Sequence, residues 1–165
     1  MSAAPEIGFA DAAAIPEVAR LLRAMDAFYR PGEALPDDAT YLATVRRTME
    51  TREGTRFVLA RAGGAAVGLA CIAVLRPGRN LAGLVFLKDL FVDESARDRG
   101  VGRALMGFLA RFAVEHGIGR IDLTTGRDNA GARRLYAALG GEEQDKVFFS
   151  FPAERLRRMA DDAGA

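Results

Sequence analysis

A turn rich in arginine and glycine constrains this chain most, because it joins a long apolar strand to a strongly amphipathic helix. The turn is Arg97-Asp98-Arg99-Gly100-Val101-Gly102-Arg103. Two glycines separated by one residue let the backbone bend sharply and approach a ligand closely. The first amide groups of the following helix have no partner inside the helix and carry the positive end of its dipole. The turn therefore predicts a binding site for a diphosphate, with Arg97, Arg99 and Arg103 adding positive charge.

Two other phosphate-binding motifs do not fit this turn. A dinucleotide fingerprint needs a third glycine, but Gly100-x-Gly102 is followed by Leu105 at that position. A P-loop needs a lysine and then a serine or threonine, whereas Gly102 is followed by Arg103 and Ala104. Taken alone, the turn leaves one alternative open, in which its arginines are simply solvated.

Hydrophobic periodicity and turn residues predict strands and helices that interleave along the chain. The predicted strands are Glu6 to Ala10, Arg56 to Ala62, Ala65 to Leu75, Ala82 to Val92, Arg120 to Thr125 and Lys146 to Phe151. The predicted helices are Ala14 to Phe28, Asp37 to Thr51, Val101 to His116 and Asn129 to Leu139. Gly63-Gly64 is a strong hairpin signal, so part of the sheet is expected to be antiparallel. This order predicts an α/β (α+β) fold, a mixed sheet with helices on both faces.

Capping and breaking residues mark several boundaries of these elements. Asp37 or Asp38 is a suitable cap for the second helix, and Gly117 ends the third. Ala14 stands at the cap position of the first helix, where an acidic residue is frequent. Pro152 opens a charged tail, over about residues 153–165, that we expect to be helical at first and frayed at its end. We expect residues 1–165 to form a single domain.

Composition argues against several function classes. Twenty-three basic and twenty-two acidic residues nearly cancel, so a nucleic-acid binder that works by bulk electrostatics is not expected. One histidine and one cysteine cannot build a standard zinc site, so no metal is expected. Cys71 lies in an apolar run and is predicted to be a core residue, not a nucleophile. No apolar run approaches about 20 residues and no signal peptide is visible, so we expect no membrane span and a cytoplasmic location.

Two sequence motifs, which follow one another along the chain in the expected order, resemble those of the GNAT superfamily of acetyl-CoA-dependent N-acetyltransferases. Arg97-x-x-Gly100-x-Gly102-x-Ala104-Leu105 is similar to that family's coenzyme A pyrophosphate motif, and the preceding Leu87 to Val92 looks like its fourth strand. Asn129-x-x-Ala132-x-x-Leu135-Tyr136 looks like its downstream asparagine–tyrosine helix. The residues that match the family run from about Leu84 to Gly141. The hairpin before them matches the family only in the order of its secondary-structure elements.

The resemblance implies a fold and a co-substrate. In this family the sheet is mainly antiparallel, its fourth and fifth strands splay apart, and the pantetheine arm of acetyl-CoA lies between them. Main-chain groups of the fourth strand would hold that arm, and the backbone from Asp98 to Arg103 would bind the pyrophosphate. The implied coenzyme-binding residues are Leu90, Phe91, Val92, Arg97, Asp98, Arg99, Gly100, Val101, Gly102, Arg103, Asn129, Ala132 and Tyr136.

The implied activity is transfer of an acetyl group to a primary amine of a small molecule or peptide, by direct attack in a ternary complex. Tyr136 would stand beside the thioester sulfur. A free phenol has a pKa of about 10 and a free thiol about 8.5, so at neutral pH Tyr136 would be protonated and able to donate to the departing thiolate. Without the resemblance, Tyr136 would be an ordinary core residue on the apolar stripe of its helix.

The acceptor amine needs a base, because the neutral form of an alkylamine costs about 4 to 5 kcal/mol at pH 7. Asp89 is the candidate, directly or through water, and a structural carboxylate is the alternative. Glutamate often precedes it in polyamine-type relatives, but that position is Lys88 here. Adjacent strand residues face opposite ways, so Lys88 and Asp89 should not share one pocket unless a bulge near Leu90 shifts the register.

Acceptor selection in such enzymes often involves the segment after the first helix. The candidate acceptor-binding residues are Asp26, Tyr29, Glu33 and Lys88, although the first three also suit a solvated loop. Two other functions stay open, a non-catalytic acyl-CoA-binding sensor and a nucleotide-phosphate enzyme that uses the same turn. The resemblance also allows a homodimer.

Overall fold

A five-stranded sheet in the order β1-β2-β3-β4-β5 forms the centre of the computed structural model, which describes residues 4–51, 54–77 and 79–163. The first four strands are antiparallel, and β5 runs parallel to β4. The strands are β1 (Glu6–Phe9), β2 (Thr55–Ala62), β3 (Ala65–Leu75), β4 (Leu84–Val92) and β5 (Ile121–Leu123). The helices are α1 (Ile15–Tyr29), α2 (Asp38–Glu50), α3 (Val101–Glu115), α4 (Ala130–Ala138) and α5 (Ala153–Ala163).

Helices cover both faces of this sheet. Because side chains alternate along a strand, Phe57 and Leu59 of β2 pack towards α1 and α2, whereas Val58 packs towards α3. Leu21 of α1 and Leu105 of α3 are fully buried in the two layers. Burying one such side chain contributes about 1.5–3 kcal/mol. The predicted mixed, mainly antiparallel sheet with helices on both faces is confirmed.

The fourth and fifth strands pair over a short distance only. Val85, Phe86 and Leu87 lie opposite Ile121, Asp122 and Leu123, and β4 then continues to Val92 without a partner in β5. The fifth strand was predicted as Arg120 to Thr125 and is therefore shorter than expected. The splayed fourth and fifth strands implied by the family resemblance are confirmed, and the gap between them opens beyond Leu87.

Acidic side chains cap α2 and the short turn that leads into α1. Asp37 is the cap of α2, and its Oδ1 accepts from the Thr40 amide at 2.8 Å. Ala14 precedes α1 without a side-chain cap, as the sequence indicated, but a short 3₁₀ turn lies before it. Asp11 accepts from the amides of Ala13 and Ala14 and caps that turn. The expected acidic cap is therefore present one turn earlier.

The predicted last strand, Lys146 to Phe151, is wrong in this structure. Residues 141–152 contain no described helix or strand, and the aromatic side chains of this stretch are exposed. A strand needs a neighbour for its backbone hydrogen bonds, and this segment lies beside none of the five strands. The tail then becomes helical in α5, as expected. Its last residues, 164 and 165, lie outside the described part of the chain, as do residues 1–3.

No helix in the part of the chain that the structure describes is both long and apolar enough to cross a membrane.

Candidate active site

The gap between β4 and β5 holds a cavity of about 260 Å³. Seven residues singled out from the sequence line it, namely Tyr29, Lys88, Asp89, Leu90, Asn129, Ala132 and Tyr136. They come from α1, β4 and α4 with its cap, elements far apart in the sequence. The cavity therefore brings both candidate catalytic residues, Asp89 and Tyr136, to one place.

A β-bulge in β4 puts two adjacent residues on this cavity. Cys71 of β3 lies opposite Asp89, and Ile72 lies opposite Leu87, so Lys88 is the extra residue. The bulge was expected near Leu90 and lies two residues earlier. Both Lys88 and Asp89 line the cavity. The alternation rule for adjacent strand residues is therefore wrong here, because the inserted residue resets the register.

Lys88 and Asp89 form an ion pair at the mouth of the cavity. Nζ of Lys88 donates to Oδ2 of Asp89 at 2.7 Å, with the lysine side chain 67% exposed and the aspartate side chain 21% exposed. Partial burial works to lower the pKa of Lys88, but the hydrogen bond and the charge of Asp89 outweigh it, and the pKa is raised. The cation at residue 88 is therefore stable throughout the neutral range, and it holds the carboxylate in place.

Tyr136 presents an un-ionised phenol to the cavity. Burial raises the pKa of Tyr136, and the nearby Tyr29 raises it further. The Tyr136 hydroxyl makes no hydrogen bond within the described part of the chain, so it is free to donate to a ligand. Tyr29 is more exposed and borders the same cavity.

Asn129 begins α4 and positions Tyr136 along the cavity wall. Its Oδ1 accepts from the Ala132 amide at 3.2 Å, so the side chain is the N-cap of the helix. Its amide nitrogen has no acceptor among the residues described and remains available to a ligand. Asn129 thus fixes the direction of α4 and offers a side-chain hydrogen-bond donor beside the gap between β4 and β5.

The turn before α3 presents free backbone donors. Asp98 and Gly100 both have left-handed backbone angles, with φ of 58° and 79°. Asp tolerates this region better than most residues, and glycine adopts it without strain. Within the described chain, the amides of residues 98–103 donate to no backbone or side-chain acceptor. Successive amides in such a turn form a concave anion-binding surface at the positive end of the helix.

The arginines of this turn differ in what they contact. Arg99 and Arg103 are exposed and form no ion pair in the described chain, so their charge is available to an anion. Arg97 is committed elsewhere, because its Nε donates to the Val92 carbonyl at 3.1 Å and its guanidinium lies 4.3 Å from the centre of the Phe28 ring. This placement differs from the expectation that all three arginines add charge for a diphosphate.

Some of the strand residues predicted to hold the pantetheine arm already make contacts within the protein. Leu90 lines the cavity, and Phe91 is buried against α1. The Val92 carbonyl already accepts from Arg97. Val101, the first residue of α3, has a buried side chain that packs towards the sheet, so only its backbone can meet a ligand.

Gly102 allows close packing between α3 and α4, a role that the glycine motif before α3 does not indicate. A Cβ at this position would lie 3.1 Å from Cδ2 of Leu135, which is tighter than an ordinary contact. Gly68 of β3 has the same role beneath α3, because a Cβ there would lie 2.8 Å from Cγ1 of Val101. The absence of a side chain at Gly102 and Gly68 therefore lets the turn before α3, the sheet and α4 approach one another closely.

Two of the predicted acceptor-binding residues lie outside the cavity wall. Asp26 accepts from the Tyr41 hydroxyl at 2.6 Å and pairs with Arg30 at 2.9 Å, so it ties α1 to α2. Glu33 is exposed and lies 3.8 Å from Arg30. Neither residue lines the cavity, and both therefore look structural or solvated in this structure.

The sequence did not single out the remaining cavity residues. They are Met25, Leu87, Leu123, Thr124, Thr125 and Gly126. The two threonines and the glycine follow β5 directly, at the carboxyl end of a parallel strand, where ligand sites in open sheets commonly lie. Their position at the carboxyl end of a predicted strand was the signal that could have identified these three residues.

Cys71 lies in the core beside this site, as predicted. Burial raises the pKa of its thiol to about 11, and the charge of Asp89 adds to this effect. A thiol with so high a pKa is a poor nucleophile at neutral pH.

A larger cleft of about 560 Å³ lies at the other end of the molecule, near the C-terminus of α3. It is lined by Arg56, Arg76 and His116 together with apolar residues, and its lining includes no carboxylate and no tyrosine. Arg56 stacks over the Phe9 ring, 3.5 Å from its centre. This cleft is larger, but it lacks both a carboxylate and a phenol, so the smaller cavity is the better candidate for chemistry.

Known proteins resemble this chain in sequence and in fold. The model of the Acetyltransferase (GNAT) family matches residues 18–140. The aminoglycoside N(6')-acetyltransferase type 1 of Salmonella typhimurium is 31% identical over 117 residues, which cover 69% of this chain and 79% of the relative.

Solved structures of similar fold cover nearly the whole chain. An integron cassette protein from the mobile metagenome of V. cholerae has a TM-score of 0.87 at 24% identity, covering 96% of this chain and 98% of that one. The aminoglycoside N-acetyltransferase AAC(6')-Iy, in a complex with a bisubstrate analogue built from CoA and acetylneamine, has a TM-score of 0.71 at 26% identity. That likeness covers 90% of this chain and 97% of the other.

Proposed function

The chain belongs to the GNAT acetyltransferase family, and from that premise we propose that it transfers the acetyl group of acetyl-CoA to a primary amine of a small molecule. The transfer is a direct attack in a ternary complex, without a covalent enzyme intermediate. The observation that carries the proposal is the single cavity between β4 and β5, which Asp89 and Tyr136 both line.

The residues around this cavity suit a coenzyme A ester. Free amides of residues 98–103 and the exposed Arg99 and Arg103 supply donors and charge for the diphosphate. The gap between β4 and β5 leaves room for an extended chain, and Asn129 offers a side-chain donor beside it. Arg97 acts indirectly in this proposal, because it fixes β4 against α1 through Val92 and Phe28.

Acetyl-CoA supplies an activated acyl group whose thiol leaves readily. At the protein, Asp89 receives the proton that the attacking amine loses, directly or through one water molecule. The amine nitrogen then bonds to the acyl carbon, and the bond from that carbon to sulfur breaks. Tyr136 donates a hydrogen bond to the departing sulfur, and this bond strengthens as negative charge develops there.

The proposed acceptor class comes from the relatives and from the charge at the cavity. Relatives that match over most of this chain are named for aminoglycosides, which makes these amines the first acceptors to test. Lys88 neutralises Asp89 at the mouth of the cavity, and Arg30 neutralises Asp26. Since these carboxylates are already paired, they leave little negative charge to attract a cation, and we expect the number of positive charges on an acceptor to matter less than its shape and hydrogen-bonding groups.

A thiol-release screen tests this function. Purified protein with acetyl-CoA is offered aminoglycosides, polyamines, amino acids and short peptides, and free coenzyme A is measured together with the mass of the acetylated product. We expect product from at least one small amine and none from peptides.

A non-catalytic acyl-CoA sensor is the alternative. Coenzyme binding by calorimetry, together with no thiol release across the panel, would favour that alternative. Absence of coenzyme binding would contradict both functions.

A further inference from the structure

The larger of the two cavities, which we call the distal cleft, lies between the start of β2 and the C-terminal end of α3, away from the gap between β4 and β5. Its volume of about 560 Å³ is within the range of sites that hold small molecules. Most of its wall is apolar, with contributions from Phe9, Met49, Val74, Phe112 and Ile118. Two of these residues are aromatic, so the cleft suits a ligand with a flat apolar body.

The distal cleft is positively charged. Arg56 and Arg76 line it, and no aspartate or glutamate does so. Within the described chain, Arg56 forms no ion pair and no hydrogen bond, and its guanidinium lies over two aromatic rings. Partial burial lowers the pKa of Arg56, and no carboxylate acts against this effect. A cation that has lost part of its water without gaining a counter-charge is a favourable place for an anion to bind.

Aromatic contacts hold the Arg56 side chain in place. Its guanidinium carbon lies 3.5 Å from the centre of the Phe9 ring and 5.1 Å from the centre of the Phe112 ring. At 3.5 Å the flat side of the guanidinium meets the Phe9 ring, whereas its N–H donors lie in the plane of the group and stay available. Two such donors match the two oxygens of one carboxylate. Because the side chain is already held, less of its freedom is lost when a ligand binds.

The negative end of α3 lies at the same cleft and would by itself repel an anion. Two of its last carbonyls are already bound by side chains. Nη2 of Arg76 donates to the His116 carbonyl at 2.9 Å, and Nδ1 of His116 donates to the Phe112 carbonyl at 2.8 Å. Nε and Nη1 of Arg76 donate to no acceptor among the residues that the structure describes. Arg76 therefore offsets the charge of the helix end and keeps donors for a ligand.

We propose that the distal cleft binds a small aromatic carboxylate, whose charge pairs with Arg56 and Arg76 and whose ring packs on the apolar wall. A carboxylate fits better than a phosphate ester, because a dianion costs more to dehydrate in a mostly apolar cleft than a group with one charge. The fork of the Arg56 guanidinium also matches the planar carboxylate. A neutral molecule of the same shape would leave Arg56 without a counter-charge and would bind less well.

The distal cleft is separate from the proposed active site. The two cavities share no lining residue. They lie towards opposite ends of α3, whose 15 residues span about 22 Å. A ligand in the distal cleft is therefore not the acetyl acceptor, and coenzyme A should not displace it. Binding here is independent of whether the chain transfers acetyl groups.

Fluorine NMR on the full chain tests the ligand class. The probe is 4-fluorobenzoate, and 4-fluorobenzamide is the control, because it has nearly the same shape and no charge. We expect the benzoate to bind with a dissociation constant of about 1 mM or lower, a usual value for a fragment of this size. The benzamide should bind about tenfold more weakly. No binding of the benzoate at about 10 mM, or equal binding of the two probes, would overturn the proposal.

Three variants locate the bound benzoate. Arg56→Met keeps an apolar stem over Phe9 but removes the charge, so binding should weaken about tenfold or more. Arg99→Met, in the turn before α3, is the matched control and should change the dissociation constant less than about twofold, because it lies in the other anion site. Arg76 lies outside the strands, so Arg76→Met decides the matter if thermal unfolding shows that Arg56→Met does not fold, and it should weaken binding about threefold. Unchanged binding in the folded arginine variants of the cleft, or a greater loss in Arg99→Met, would refute this site.

Discussion

The Lys88 ammonium lies 2.7 Å from the Asp89 carboxylate although the two residues are neighbours on one strand. A regular strand would point them to opposite faces of the sheet. The bulge at Lys88 removes that alternation and makes the candidate base and a cation one unit at the mouth of the cavity. The charge that an approaching amine meets is therefore close to zero.

Substitutions at these two positions should act in opposite directions. Lys88→Met removes a like charge, so the KM of a dicationic acceptor should fall about fivefold, which corresponds to roughly 1 kcal/mol. Asp89→Asn keeps the shape but removes the base, so kcat should fall at least tenfold, a conservative share of the usual contribution of a general base. Steady-state kinetics on both variants gives the answer. Equal losses in both would mean that the pair is only structural.

The phenol of Tyr136 should affect turnover and not coenzyme binding. In Tyr136→Phe we expect kcat to fall about 100-fold, while the coenzyme dissociation constant changes less than twofold. Because burial raises the pKa of Tyr136, the donor stays protonated until the pH rises beyond 10, and the wild-type rate should not decline below that pH from its ionisation. Tyr29→Phe, in the same cavity, is the control. Similar kcat values for both variants would remove Tyr136 from this role.

The contact between Gly102 and Leu135 should make Gly102→Ala costly for activity. The added methyl group would press on Leu135 and shift α4, so we expect kcat to fall several-fold without a gain in Tm. Gly107→Ala, in the same helix, has only the end of Arg111 nearby. That control should gain about 0.5–1 kcal/mol in stability, or about 1–4 °C in Tm. Equal stabilisation by both changes, with full activity, would contradict the packing role.

Gly68 should be intolerant of any side chain because it lies under the start of α3. Gly68→Ala places a methyl group 2.8 Å from Val101, which we expect to cost about 1–3 kcal/mol and to weaken coenzyme binding. Gly8→Ala on β1 is the matched control, since nothing lies within 4 Å of the added atom. Urea denaturation and calorimetry measure both effects. Unchanged coenzyme affinity in Gly68→Ala would show that α3 does not move.

The Cys71 thiol should be unreactive in the folded protein. A thiol pKa of about 11 leaves very little thiolate at pH 8, and burial blocks access, so a disulfide reagent should react only after unfolding. Cys71→Ala should keep kcat within about twofold, because direct transfer needs no thiol. A burst of acetylated enzyme that disappears in this variant would instead reveal a covalent pathway.

Local signals predicted most of this fold. The Gly63-Gly64 hairpin, the helical repeats of α1 and α3, and the cap at Asp37 depend on residues close together in the chain. The free amides before α3 follow from the same kind of local rule. These features needed no knowledge of distant contacts, and the sequence was sufficient for them.

Features that depend on neighbouring strands were missed or misplaced. The bulge at Lys88 depends on how β4 meets β3, and the threonines at 124 and 125 matter only because β5 separates from β4. The segment from Lys146 to Phe151 has the residues of a strand but no neighbour in its own sheet. A pattern of side chains predicts the tendency to form a strand, and the available edge decides the outcome.

The close approach of Gly102 to Leu135 links two helices through carbon atoms alone. If the proposed diphosphate site is correct, ionic strength should change how tightly acetyl-CoA binds to the amides before α3. It will not change this apolar spacing, so high salt should reduce occupancy of the site while leaving the geometry of each bound complex, and hence its maximal rate, unaltered.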